Sequence, residues 1–232
     1  MSLSRRAALG AFACAVCAGF TAPSLPALAQ GAPPKTTLTG DQALARLMEG
    51  NRRFVADDPM RPDIGTTRRQ ALAAGQAPFA TIVCCSDART PTETLVGAGI
   101  GDIFVTRVAG NTIPASDEAS IAFGVDVLGT PLVMVLGHER CGAVAAAVSV
   151  VTRGTAIPPV MQPMLGPIIF AVNAVRDQPG DLVENAVREN ARMGARQIIR
   201  HPNFAENVRS GKLKVVAARY DLDDGKIELL NL

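Results

Sequence analysis

Residues 79–89 read FATIVCCSDAR, an apolar, β-branched run that ends in two thiols, a carboxylate and a guanidinium. Two further runs share its apolar character, DIFVTRV at 102–108 and PLVMVLG at 131–137. Short continuous runs of this kind suit strands buried on both faces, as in a parallel sheet. Between the last two, residues 117–128 are small and apolar on one side and read as a helix, with Ser116 as its expected N-cap. An Ala- and Val-rich helix is expected after Cys141, and residues 188–200 read as another. Upstream, Thr39 and Gln42 form a capping box for a helix running through Leu47 to Phe54. Residues 213–220 and 226–230 flank Asp224 and Gly225, a hairpin signal. Strands alternating with helices predict an α/β fold, a mainly parallel central β-sheet flanked by helices.

In such a sheet the carboxyl ends of the strands share one edge, and ligands bind there. Cys85 ends one predicted strand and His138 ends another, so both side chains converge on that edge. Cys141 follows three positions later, where the positive end of the next helix favours a thiolate. Each residue alone reads as something ordinary: Cys85 as core, His138 as a strand cap, Cys141 as helix packing. Together, with Asp87 and Arg89 at alternate positions beside Cys85, they point to a metal. Two sulfurs and an imidazole make a tetrahedral zinc set short of one ligand, and catalytic zinc sites keep that fourth position for water. Cys84 is read as a small core residue, since neighbours on a strand face opposite ways.

The chain has 232 residues, and its first 29 read as a signal peptide. Ser4, Arg5 and Arg6 precede a small, apolar run from Ala7 to Phe20, and Ala27, Leu28 and Ala29 supply the cleavage pattern. That order suits twin-arginine export, and a periplasmic or secreted protein with no stable membrane insertion after cleavage. Residues 30–37 read as a linker and 38–232 as a single zinc-binding domain. Cleavage would remove two arginines and no acid, leaving basic residues equal in number to the 21 acidic ones. That balance gives no basis for nucleic-acid binding. It would also remove Cys14 and Cys17, the only C-x-x-C, and leave the odd set Cys84, Cys85 and Cys141. An odd set argues against a simple disulfide framework.

The motifs C-x-D-x-R (Cys85, Asp87, Arg89) and H-x-x-C (His138, Cys141), with GDIFVTRVAGN at 101–111 and LGHERCGAV at 136–144, resemble the β-class carbonic anhydrases. The resemblance runs from about Leu38 to Leu230. It implies the β-carbonic anhydrase fold and zinc (Zn2+) on Cys85, His138 and Cys141. Asp87 and Arg89 would form the catalytic dyad, with Asp87 a fourth zinc ligand in a closed state. Gln76, Phe104, Phe123 and Gly142 would line the substrate pocket, partly across the interface of a homodimer or higher homo-oligomer. The implied activity is the reversible hydration of carbon dioxide to bicarbonate and a proton, with zinc acidifying water. Hydrolysis of a related small electrophile such as carbon disulfide, and a non-catalytic zinc-binding module, are the alternatives; storage would need neither Asp87 nor Arg89. Two positions depart from the family: Ile82 stands where some members carry a Trp of a bicarbonate site that also uses Arg107, and Phe123 replaces a frequent Tyr.

Overall fold

The three apolar runs form neighbouring parallel strands of a five-stranded sheet, with the part-exposed run at 102–108 as its edge, then the run at 79–85, then the run at 131–137. This computed structural model describes residues 35–59 and 61–232; the expected signal peptide and most of the linker lie outside the described residues. Strands β1 (Ala80–Cys84), β2 (Ile103–Arg107), β3 (Leu132–His138) and β4 (Lys214–Tyr220) pair in parallel, and β5 (Ile227–Leu230) pairs antiparallel to β4 across the Asp224–Gly225 turn. Every residue of β1 and β3 is buried, which is why they read as continuous apolar runs instead of alternating ones. The expected α/β architecture is the one observed.

Helices cover both faces. Helix α1 (Gly40–Val55) starts at the predicted capping box, with the Thr39 side chain accepting from Gln42 N and the Gln42 side chain from Thr39 N. It packs Ala43 and Leu47 against Ile82, Met134 and Ala218. Short helices α2 (Thr66–Leu72) and α3 (Thr92–Leu95) flank β1 in sequence. On the opposite face α7 (Leu182–Arg200) lays Ala191, Ala195 and Ile198 on Val83, Val133 and Val135. A third cluster joins Cys85 and Cys141 to α5 (Gly142–Arg153) and α6 (Gln162–Val175) through Val144, Leu165 and Ile168. Helix α8 (Pro202–Arg209) follows α7 and buries Phe204.

Three local expectations shift. Helix α4 (Ala115–Ala122) begins one residue before Ser116, because the Pro114 carbonyl already accepts from Asp117 N and Glu118 N; Ser116 lies inside the first turn, its hydroxyl on Asp117. The chain then continues through a wider turn, Phe123–Val127. Helix α7 starts at Leu182, well before residue 188, with the Asp181 side chain accepting from Glu184 N as its N-cap.

Candidate active site

The C-terminal ends of β1 and β3 set the site. Cys85 leaves β1, His138 closes β3, and Cys141 is the N-cap of α5. All three are buried, and their ligand atoms lie within 4.8 Å of one another. The His138 Nδ1–H donates to its neighbour's carbonyl, Glu139 O, at 2.9 Å. That bond fixes the tautomer that turns the Nε2 lone pair toward the sulfurs. Nε2 itself is buried without a hydrogen-bond partner.

The two thiols are shifted in opposite directions. The neighbouring Cys141 thiol drives the Cys85 thiol well below its ordinary pKa, helped by His138 and the Gly110 amide and opposed by burial. Cys141 is driven up, first by Cys85 and then by burial, against the amides of Ala143 and Val144 at the start of α5. The helix end therefore does favour the Cys141 thiolate, as its sequence position suggested, but the adjacent Cys85 charge outweighs it. Two buried cysteine sulfurs and an unpartnered imidazole nitrogen gathered at one point fit a divalent cation with soft and borderline ligands, and zinc meets that description.

Asp87 faces this group from the loop after β1, with Oδ2 3.8 Å from His138 Nε2. Arg89 grips it as a fork: Nε donates to Oδ1 at 2.9 Å and Nη2 to Oδ2 at 2.8 Å, while the Arg89 backbone N–H adds a bond to Oδ1 at 2.9 Å. Arg89 is the main reason the Asp87 carboxyl is held far below the usual carboxylate range, against desolvation. Because the folded value is depressed, the pair's stabilisation is present above the unfolded carboxylate pKa and is lost as pH falls through the folded one. Arg89 is more than half exposed, so solvent screens much of that contribution.

Arg107 proves to be the brace of this loop. Its Nε donates to Cys85 O at 3.0 Å and its Nη2 to Asp87 O at 2.7 Å. The residue that resembled a leftover of a bicarbonate site thus ties a candidate ligand to the dyad, while Ile82 is wholly buried in the core beneath α1.

Of the predicted pocket residues, Phe104 on β2 and Phe123 at the end of α4 meet with ring centroids 6.1 Å apart. Phe123 is 46% exposed. Gln76, between α2 and β1, is exposed and makes no side-chain hydrogen bond among the described residues. Gly142 opens α5 beside Cys141, and a Cβ there would meet nothing within 4 Å. The metal-type group and the dyad come together within this one chain; Gln76, Phe104 and Phe123 share no hydrogen bond with them among the described residues.

Comparison with known proteins agrees with this geometry. The family described as carbonic anhydrase matches residues 80–227. Carbonic anhydrase 2 of Mycobacterium tuberculosis is 35% identical over 187 residues, covering 79% of this chain and 89% of the relative. The carbonic anhydrase of Pseudomonas aeruginosa is 30% identical over 171 residues, covering 70% and 77%. Among solved structures, a tetrameric β-carbonic anhydrase of Sordaria macrospora superposes with a TM-score of 0.65 at 28% identity, covering 71% of this chain and 86% of that one. The β-carbonic anhydrase of Aspergillus fumigatus gives 0.64 at 28% identity, covering 82% and 90%. By sequence and by fold, the chain belongs to the β-carbonic anhydrase family.

Proposed function

We propose that Cys85, His138 and Cys141 hold one zinc per chain and that Asp87 and Arg89 run the family's reaction beside it, the reversible hydration of carbon dioxide to bicarbonate. Bound there, zinc supplies Lewis acidity that lowers the pKa of water toward neutrality. The chain's own residues do the rest. Asp87 accepts the hydrogen bond of the attacking water and aims a lone pair at the substrate carbon. Arg89 keeps that carboxylate ionised and fixed in direction. His138, anchored at Nδ1, and the Arg107 brace hold the ligand group and the dyad at constant separation.

The single observation that carries this reading is the Arg89 fork on Asp87 set against the Cys85, His138 and Cys141 group, because a metal store has no use for an oriented carboxylate. Stopped-flow hydration of carbon dioxide by zinc-loaded protein tests it. Turnover that vanishes on chelation and returns with zinc is expected; a rate equal to the buffer blank with full zinc would leave the two alternatives, hydrolysis of a related small electrophile and zinc storage.

The pocket residues are proposed to complete the site in a homodimer. Strand β2 is a sheet edge, and Phe123, Val127 and Ile100 are exposed large apolar side chains, a surface suited to a second copy. The tetrameric Sordaria macrospora relatives support the same reading. Export is proposed from the order of parts in residues 1–29. Native mass spectrometry of protein recovered from the periplasm or medium checks both: the expected mass is at least two chains, each beginning at Gln30. A monomer with full activity would remove any role for a neighbour's Gln76.

A further inference from the structure

Asn190 is a polar residue in the middle of the apolar stripe of α7, between Ala186, Val187, Ala191 and Gly194, and it is 5% exposed. A buried amide in such a stripe is costly unless it is bonded. Its Nδ2 donates to Gly110 O at 2.8 Å, a contact spanning 80 positions in sequence. Gly110 is the residue whose N–H donates to Cys85 Sγ at 3.2 Å. Its backbone is left-handed, with φ 74° and ψ 18°, and the following Asn111 is left-handed as well, with φ 46°. A Cβ at Gly110 would lie 2.5 Å from Ile168 Cδ1 and 3.1 Å from Ala143 Cβ. The left-handed backbone favours glycine there, and any side chain would have to push Ile168 aside. The short Ala109–Asn111 turn is therefore wedged between α5 and α6 and pinned from α7 by one side-chain amide.

We infer that Asn190 is a positioning residue for the metal centre: by holding the Gly110 carbonyl it keeps the Gly110 amide on the Cys85 sulfur. The inference rests on Cys85 being a zinc ligand, as proposed above. Two thiolates donate enough charge to zinc to blunt its effect on water. An N–H bond to one of them draws charge back onto the amide, and the metal stays a stronger Lewis acid. Partners outside the ligand set tune metal sites in this way. Asn190 touches neither substrate nor metal; its effect passes through the turn.

The direct test is nuclear magnetic resonance of the 15N-labelled full chain loaded with 113Cd, which reports scalar coupling from the metal across N–H···S bonds. Coupling from cadmium to the Gly110 amide proton is expected, beside couplings to the β-protons of Cys85 and Cys141. Cysteine couplings with none to Gly110 would overturn the inference while leaving the ligand assignment intact; no coupling to Cys85 would overturn the assignment itself. Asn190→Asp keeps the shape but cannot donate, and Asn190→Ala removes the donor with a residue that suits a helix. Both are expected to weaken the Gly110 coupling and to lower zinc affinity, measured by chelator competition, about 10- to 100-fold. A variant with a lower melting temperature but unchanged coupling and affinity would show that Asn190 only packs the fold.

Discussion

Cys141→Ser is expected to strip zinc from the protein and abolish carbon dioxide hydration with it. A serine hydroxyl does not ionise at the pH of the experiment, so the site would keep one thiolate and one imidazole, too few to hold zinc. Cys141 is buried beside Cys85 at the N-cap of α5. The loss of zinc affinity should exceed the roughly 10- to 100-fold typical of losing a partner outside the ligand set. Metal analysis after gel filtration checks this: substoichiometric zinc is expected, and full retention would remove Cys141 from the ligand set. Folding should survive, because Cys141 occupies the N-cap position of α5 and serine is a favoured N-cap.

Asp87→Asn is expected to keep the zinc and lose the turnover. The substitution preserves size but removes the charge that pairs with Arg89 and turns one acceptor oxygen into a donor. The amide can no longer take the hydrogen bond of the attacking water in the same sense, and Arg89 loses half of its fork. Removal of a positioned proton acceptor costs about 10²- to 10⁴-fold in rate, and a loss in that range is expected in kcat. Zinc content should remain one per chain, since Asp87 stands outside the Cys85, His138 and Cys141 group. Undiminished kcat would mean that the metal alone suffices; lost zinc would mean that Asp87 is a constant ligand.

Much of this site was legible because its chemistry sits at strand ends. Once the runs at 79–85 and 131–137 read as buried parallel strands, Cys85 and His138 had to share an edge, and Cys141 had to follow at a helix start. Asp87 and Arg89 were legible as an acid and a base at alternate positions beside Cys85, and only the family resemblance gave them the role of a dyad. What the sequence hid depends on distance or on mixed signals. The Arg107 brace joins β2 to a loop 20 residues earlier, and no local pattern marks it. Asn190 could be found only as a polar interruption in an apolar stripe, with nothing to say which carbonyl it reaches. Helix α6 escaped notice because Gly166 and Pro167 interrupt it, although Leu165, Ile168, Val172 and Val175 keep a helical spacing. Ser116 was a reasonable cap by type, yet the preceding proline carbonyl had already started the helix.

The account stands on the identity of the ligand set, and X-ray absorption at the zinc edge of the wild-type protein measures it most directly. Two sulfur scatterers near 2.3 Å and one imidazole nitrogen near 2.0–2.1 Å, about the usual zinc distances, are predicted, with a single light atom completing the shell. A shell of oxygen and nitrogen alone, or of three or more sulfurs, would contradict zinc on Cys85, His138 and Cys141.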